Sequence, residues 1–220
     1  FNDPDIYKKF NEIQINASDA EEVEFHKDLE IDFNDAGHSL TDENKGRLLE
    51  IDKKLIQLGI SFSENIAKDK TELQFSEDEL RGLSNNELTN LRKSGEKFVI
   101  TMSYPDINAV MENCIVRKTR ETTWKAFNNR AVNENSPILK EAVVLRNEKA
   151  QLFGFNTWSE YRLQNRMAKS PKNVEAMYDN LIPKLQKAAE VEKKELVIDD
   201  IEIKDIAPWD IRYFISSERS

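Results

Sequence analysis

The sequence predicts an all-α fold, a multi-helix bundle with long amphipathic helices and a minor two-stranded β element around residues 71–102. Three observations predict it. Apolar residues recur at steps of three and four along most of the chain, which is the period of one helix face. The apolar–polar alternation that is typical of a strand occurs in two segments. Glycine and proline number six each in 220 residues, below the averages of about 7% and 5%, so few turns separate long helices.

The first two helices are predicted from their end signals. Pro4 follows Asp3 and suits the first turn of a helix, because its fixed backbone angle is already helical. Ser18 and Glu21 form a capping-box pattern that predicts the start of a second helix. Gly37 is placed to end that helix in a left-handed conformation.

The third helix is the longest one that the pattern predicts, and the β element follows it. Between Leu48 and Ile66 the apolar residues step by 3, 4, 3, 4 and 4. This spacing predicts one amphipathic helix of about seven turns that begins near Thr41. Residues 71–75 and 97–102 alternate like short strands. A lone pair of short strands is unstable, so we expect the two strands to pair and to pack against the helices.

Helical spacing resumes after the second strand. One helix is predicted over roughly residues 106–131, and Ser136 is placed to cap the next one. A shorter helix is predicted over residues 157–168, and Pro171 opens a long one. Pro183 lies inside that long helix and predicts a kink or a split.

One apolar face from each main helix is predicted to form the core of a single helical domain or fragment that occupies residues 1–220. The predicted core residues are Leu55, Leu58, Phe62, Ile115, Leu139, Val143, Phe153, Leu181 and Leu185.

Composition limits the partners and the compartment. The chain carries 32 basic and 41 acidic residues, a net charge of −9, which disfavours nucleic acid and anionic membrane surfaces as partners. No apolar run approaches the roughly 18 residues of a membrane span. The single cysteine, Cys114, fits a reducing compartment. We therefore expect a cytoplasmic location, with mitochondria as the alternative. The first residues show no signal peptide and no initiator methionine, so we expect an excised piece of a longer protein.

The residues that could carry chemistry are sparse. His26 and His38 lie twelve positions apart, and neither is part of an H-E-x-x-H motif. His26 and Glu30 could offer two ligands on one helix face, but zinc needs three or four, so we interpret them as a solvated face and predict no metal in this chain. Cys114 lies on an apolar stripe and is predicted to be a buried core residue rather than a nucleophile. Nucleotide-binding glycine motifs are absent from the sequence.

One basic segment contains interleaved aromatic residues. The candidate binding residues in it are Arg117, Arg120, Trp124 and Arg130. Arginines can hold the carboxylates of a peptide or of an acidic partner in paired hydrogen bonds. The alternative, which the composition favours, is ordinary pairing on helix surfaces with the acids Glu121, Glu134 and Glu160.

Four collinear segments resemble the thimet oligopeptidase family of zinc metallopeptidases. The long helical segment of the family is similar to residues Asp32–Ile66, DFNDAGHSLTDENKGRLLEIDKKLIQLGISFSENI. Its short strand and E-L-x-G-L-P turn are similar to residues Leu73–Ser84, LQFSEDELRGLS, in which Ser84 replaces the proline. The most specific pattern of the family resembles residues Asn135–Val174, NSPILKEAVVLRNEKAQLFGFNTWSEYRLQNRMAKSPKNV. Its W-D-x-x-Y-Y element resembles residues Trp209–Phe214, WDIRYF.

The resemblance implies a mainly helical enzyme in which two lobes flank a deep channel for short peptides. In that family the zinc is held by the two histidines of H-E-x-x-H and a downstream glutamate, and the glutamate of the motif activates water. All of these residues lie C-terminal to the matched region. The resemblance therefore implies no catalytic and no zinc-binding residue in this chain, no cofactor here, and zinc in the full-length parent.

Three interpretations follow from the resemblance. In the first, the chain is the N-terminal, channel-wall part of an oligopeptidase, with short peptides and the remaining catalytic portion as its partners, and it is inactive alone. In the second, it is a natural truncated homologue that acts as a peptide-binding or protein-interaction module. In the third, it is an unrelated helical scaffold with similar patterning.

Overall fold

A computed structural model describes residues 1, 3–16, 18–195 and 205–217. The described chain is mainly helical, which confirms the all-α prediction. Its helices are α1 (Pro4–Asn11), α2 (Ala20–Asp35), α3 (Asp42–Lys68), α4 (Asn85–Asn90), α5 (Tyr104–Asn113), α6 (Arg117–Asn128), α7 (Val132–Leu152), α8 (Trp158–Leu163), α9 (Pro171–Glu195) and α10 (Pro208–Ser217). Its strands are β1 (Glu72–Phe75), β2 (Arg92–Ser94) and β3 (Lys97–Thr101), and one 3₁₀ turn covers Asp78–Leu80.

The first two helices begin at acidic caps. The carboxylate of Asp3 caps α1, as predicted. The cap of α2 is Asp19 and not Ser18, because the Asp19 carboxylate accepts the backbone N–H of Glu21 at 3.0 Å and the next N–H at 3.2 Å. A carboxylate at this position also interacts favourably with the positive end of the helix dipole. Gly37 ends α2 with φ +93°, which confirms its predicted role.

The single helix predicted after the sheet is two helices, α5 and α6. Cys114 is extended, with φ −71° and ψ 120°, and ends α5. The backbone N–H of Ile115 donates to the carbonyl of Arg81 at 2.9 Å, so this segment pairs with a distant turn instead of continuing the helix. The turn approaches closely because Gly82 has no side chain: a Cβ there would lie 2.2 Å from the Asn113 carbonyl oxygen. A tertiary contact therefore sets the break.

Three later helices differ from the predicted bounds. α7 begins at Val132, and Ser136, the predicted cap, lies in its first turns and donates to the Val132 carbonyl at 2.6 Å. α8 begins after a capping box between Thr157 and Glu160 and ends at Leu163, five residues before the predicted end. α9 runs through Pro183 as one helix, so no split occurs.

The sheet has three antiparallel strands in the order β1-β3-β2, one strand more than predicted. Glu72 of β1 lies opposite Thr101 of β3, and Arg92 of β2 lies opposite Val99. β2 is three residues long and fully exposed. Because it lacks alternating apolar residues, its sequence carries no strand pattern.

The chain forms two compact units. The first consists of Phe1–Ser61 and Pro137–Val174, and the second of Phe62–Ser136 and Glu175–Ser220. The second unit contains the sheet, α5, α6 and α10, and it holds all four candidate binding residues.

The first unit is stabilised by aromatic contacts and by ion pairs between α3 and α7. Phe33 is buried and packs against the rings of Phe1, Tyr7 and Phe10, with centroids 4.9–5.3 Å apart. The ion pairs between α3 and α7 are Arg47–Glu148, Lys54–Glu141 and Asp52–Lys149.

The second unit contains two buried apolar clusters. The larger consists of Phe75, Leu80, Leu83, Leu91, Phe98, Ile100, Val110 and Cys114. The smaller consists of Met102, Ile107 and Met111, with Trp124 and Trp209 packed against it. Cys114 is fully buried, which confirms its predicted role in the core.

Much of the predicted core is exposed, and for these residues the prediction is wrong. Leu58 is buried, whereas Leu55, Phe62 and Phe153 are half-buried. The exposed residues are Ile115, Leu139, Val143, Leu181 and Leu185, with 39–56% of their surface accessible. Helical spacing locates an apolar face, but it does not show what covers that face.

The three longest helices are amphipathic or charged. α3, α7 and α9 contain 27, 21 and 25 residues. Among the residues that the structure describes, no helix is both long and apolar enough to cross a membrane.

Candidate functional site

The basic segment meets α10 at one buried carboxylate. Arg117 donates from Nε to both oxygens of Asp210 at 3.1 Å and from Nη2 to Oδ2 at 2.8 Å. Arg120 donates from Nη2 to Oδ1 of Asp210 at 2.9 Å. The backbone N–H of Ala207 adds a hydrogen bond of 3.0 Å. Asp210, which is fully buried, is therefore bound by two guanidinium groups and one amide.

Arg120 is itself buried, with 2% of its side chain exposed. Its Nη1 donates to the Cys114 carbonyl at 2.8 Å and its Nε to the Trp209 carbonyl at 3.2 Å. Its guanidinium carbon lies 4.2 Å from the centre of the Tyr213 ring. All three of its nitrogens are engaged, so Arg120 joins the start of α6 to α10.

The charges of this cluster stabilise one another. Burial opposes the ionisation of Asp210, but the hydrogen bonds from Arg117, Ala207 and Arg120 outweigh it, so the pKa of Asp210 lies below its usual value. The Asp210 carboxylate in turn raises the pKa of the Arg117 guanidinium. Both shifts favour the charged forms of Asp210 and Arg117.

Trp124 lies in the same region, on the apolar side of α6. Its ring is 5.7 Å from the Trp209 ring in an edge-to-face arrangement at 63°. It also packs against the cluster of Met102, Ile107 and Met111. Such aromatic pairs stabilise a contact by about 0.5–1.5 kcal/mol beyond their buried area.

Arg130 belongs to a different part of the second unit. It follows α6 and lines a cleft of about 530 Å³, which is formed by the end of α3, the start of β1 and the residues after β3. Its Nε donates to the Phe127 carbonyl at 2.9 Å, and its guanidinium carbon lies 3.8 Å above the Phe127 ring. The structure therefore brings Arg117 and Arg120 together on Asp210 and places Arg130 on a cleft that none of the other three candidates lines.

Surface pairing, the alternative for the basic segment, occurs at its lysines. Lys118 and Lys125 both form ion pairs with Glu121, at 3.0 and 2.6 Å. Arg117 and Arg120 pair with Asp210 instead, which sequence reasoning missed. Asp210 stands in the W-D element that carries the family resemblance, but its partner lies 93 positions away and no local spacing connects them.

The histidines do not approach a zinc-binding arrangement. The His26 ring stacks on Phe10, and the His38 ring stacks on Tyr7, each with centroids 4.4 Å apart. No group of three or more His, Cys, Asp or Glu side chains in the described ranges is placed to hold a metal ion. The residues present therefore do not fit a catalytic zinc, which needs three protein ligands.

Cys114 offers no nucleophile either. Burial raises the pKa of its thiol above the usual value, and its Sγ lies 3.4 Å from the Glu79 carbonyl oxygen. A nucleophilic cysteine needs the opposite, a lowered pKa and an adjacent base.

The comparisons with known proteins agree with this picture. The profile of Peptidase family M3 matches residues 110–220. The thimet-like oligopeptidase of Dictyostelium discoideum is 32% identical over 180 residues, which are 80% of this chain and 27% of that protein. Oligopeptidase A of Haemophilus influenzae is 31% identical, over 86% of this chain and 30% of its own. Saccharolysin of Saccharomyces cerevisiae is 30% identical, over 96% and 32%.

These matches cover 80–96% of the chain, and the chain spans about a third of the length of the curated relatives it matches. The family profile covers half of the chain, including α6 and α10 with their shared Asp210 cluster. The chain belongs to Peptidase family M3, the thimet oligopeptidase family.

Proposed function

We propose that the chain is the N-terminal, non-catalytic part of a zinc-dependent oligopeptidase that hydrolyses short peptides, and that residues 1–220 form part of the wall of its substrate channel. The proposal rests on one observation, the difference between the aligned share of this chain and the aligned share of its relatives. The matched relatives align with 80–96% of this chain but with only 27–32% of their own length. A segment of that kind contributes structure and binding surface to a larger peptidase.

The exposed apolar faces of α7 and α9 support this proposal. Leu139 and Val143 of α7 are 54% and 55% exposed, and Leu181 and Leu185 of α9 are 39% and 56% exposed. Extended apolar surface of this kind marks an interaction site. The remaining, catalytic portion of the parent is the partner that we infer for these faces.

Catalysis is assigned outside this chain. Zinc in a peptidase polarises the scissile carbonyl and activates water, and it requires ligands that converge on one point. The His26 and His38 rings stack on aromatic rings, and neither belongs to a group of potential metal ligands among the described residues. We therefore expect the 220-residue chain to bind no catalytic zinc and to cleave no peptide by itself.

The candidate residues divide into two roles under this proposal. Arg117, Arg120 and Trp124 shape the wall, because their contacts with α10 fix where that helix lies. Arg130 is the candidate that faces the peptide, because it lines an open cleft. For the compartment we propose the reducing cytoplasm, since Cys114 is a free thiol.

Photo-cross-linking tests the channel-wall role. The protein that carries this segment together with an H-E-x-x-H motif is incubated with a short peptide that bears a photoreactive side chain, and the cross-linked residues are identified by mass spectrometry. We expect cross-links within residues 62–136 that an excess of unlabelled peptide suppresses. Cross-links confined to sequences outside residues 1–220 would contradict the role.

The coding sequence downstream of Ser220 tests the parentage. An H-E-x-x-H motif in the same reading frame is expected. A stop codon at that point would instead identify a natural truncated homologue that serves as a peptide-binding or interaction module.

A further inference from the structure

We propose that the cleft beside Arg130 binds a carboxylate group of a short peptide. This inference rests on the proposed function, because it names the part of the substrate that the second unit holds. The cleft has a volume of about 530 Å³ and lies wholly within that unit. Its cations are Arg130 and Lys70, its acids are Asp69 and Glu72, and Ser63, Thr71 and Ser103 also line it.

Arg130 is held in place before any ligand arrives. Its Nε donates to the Phe127 carbonyl, and its guanidinium stacks on the Phe127 ring. Neither terminal nitrogen of Arg130 has a hydrogen-bond or ion-pair partner among the described residues. A fixed guanidinium with two free nitrogens matches the two oxygens of a carboxylate, and little side-chain freedom remains to be lost on binding.

The backbone next to Arg130 is strained. Ala131 has φ +50°, a left-handed conformation that a residue with a Cβ rarely adopts. The strain is held by Asp69, whose Oδ2 accepts the backbone N–H of Ala131 at 3.0 Å. Strain of this kind is concentrated at sites where it serves a function. Here it fixes the position of Arg130 at the cleft.

The acidic residues of the cleft, Asp69 and Glu72, already have hydrogen-bond or ion-pair partners. Asp69 accepts the backbone N–H of Thr71 at 2.9 Å with its other oxygen. Hydrogen bonds from Thr71 lower the pKa of Asp69, so it remains ionised and bound to the backbone. Glu72 forms an ion pair with Arg92 at 2.6 Å. Asp69 also interacts electrostatically with Arg130, but no hydrogen bond joins their side chains in the described part of the chain, so the terminal nitrogens of Arg130 stay free. Lys70 has no ion-pair partner among the described residues.

A single carboxylate fits this arrangement better than a polyanion. The whole chain carries a net charge of −9, which repels ligands with several negative charges. A peptide supplies carboxylates from two sources, its C-terminus and its Asp or Glu side chains. The cleft recognises the chemistry that both share.

The experiment measures peptide affinity by calorimetry with the 220-residue chain, in a buffer without phosphate or carboxylate. Three N-acetylated peptides of equal length are compared: one with neutral side chains and a free C-terminus, the same peptide amidated, and an amidated one with a single glutamate. We expect the amidated neutral peptide to bind at least fivefold more weakly than one of the other two. The peptide that retains affinity shows whether the cleft binds a C-terminal or a side-chain carboxylate.

Variants locate the site. Arg130→Gln and Lys70→Gln should each weaken binding of the preferred peptide at least fivefold, and Lys70→Gln guards against misfolding because Lys70 is exposed. The matched control is Arg146→Gln, another arginine over an aromatic ring, Trp158, outside the cleft. Equal affinities for all three peptides, or full binding by both variants, would overturn the inference. The cross-linking result decides the channel-wall role separately, so either conclusion can fail without the other.

Discussion

The residue that connects most of the candidate site is Asp210. It is fully buried, and Arg117, Arg120 and the Ala207 amide supply its hydrogen bonds. Burial of a charged group costs free energy of desolvation, which is offset only when ion-pair and hydrogen-bond partners surround the group. The same holds for Arg120, which is 2% exposed and depends on Asp210 for its countercharge. Removal of the Asp210 charge therefore leaves the buried Arg120 charge uncompensated.

Asp210→Asn tests this dependence. Because the change leaves the Arg120 charge buried without a counterion, we expect it to lower the free energy of unfolding by about 3–5 kcal/mol in urea titrations. The control is Glu121→Gln, which removes an acid whose ion pairs with Lys118 and Lys125 lie at the surface. That change should cost no more than about 1 kcal/mol. Equal losses in the two variants would show that Asp210 is not a buried anchor.

The pH dependence of stability follows from the same residue. The pKa of Asp210 is lowered in the folded chain from an ordinary value of 3.8. The unfolded chain therefore takes up this proton first as the pH falls, and the stability that the Asp210 carboxylate contributes is present above pH 3.8 and lost below it. We expect the difference in unfolding free energy between the wild type and Asp210→Asn to be constant near neutral pH and to shrink in acid. A difference that grows in acid would contradict the lowered pKa.

At the scale of elements, the important junction is the break between α5 and α6. The sequence predicts the apolar face of α5 correctly, since Ile107, Val110 and Met111 are all buried. It does not predict the break, because the cause is a backbone contact between Ile115 and Arg81. Helical periodicity is a local signal, and a distant turn leaves no trace in it. The exposed strand β2 escapes prediction for another reason, because it has no alternating apolar residues.

Gly82→Ala tests whether that contact sets the break. Gly82 has φ +101°, and a Cβ would meet the backbone of Asn113 at 2.2 Å. We expect a loss of about 1–3 kcal/mol in unfolding free energy, because the turn and the junction must separate. Gly59→Ala is the matched control: this helical glycine has nothing within 4 Å, so alanine should stabilise α3 by about 0.5–1 kcal/mol. A neutral effect at Gly82 would mean that the contact does not hold the junction.

At the scale of the whole molecule, the fold class, the long helix α3 and the family could be predicted from the sequence. The candidate site could be predicted in part. Arg117 and Arg120 do lie together, but their shared partner Asp210 is remote in sequence. The predicted core failed where apolar faces, such as those of Leu181 and Leu185, are exposed. A sequence pattern marks such faces as apolar whether their neighbour belongs to the same segment or to another part of the protein.

Two variants, Leu185→Ala and Ile100→Ala, compare how much an exposed and a buried apolar side chain contribute to the stability. Ile100 is fully buried in the sheet, so its truncation should cost about 2–5 kcal/mol in the 220-residue chain. Leu185 is 56% exposed, and its truncation should change the stability by no more than about 0.5 kcal/mol. In a longer protein that includes the catalytic portion, we expect the cost at Leu185 to rise toward that at Ile100. An unchanged small cost there would show that the face of α9 stays uncovered.

Under our proposal, these 220 residues are the non-catalytic part of an oligopeptidase. The most direct measurement is metal analysis of the purified chain together with a fluorogenic-peptide assay, with and without a chelator, beside the longer protein. We predict no stoichiometric zinc and no cleavage by the chain, and both in the longer protein, with loss of activity on chelation. Stoichiometric zinc and chelator-sensitive cleavage by the 220-residue chain itself would contradict the account.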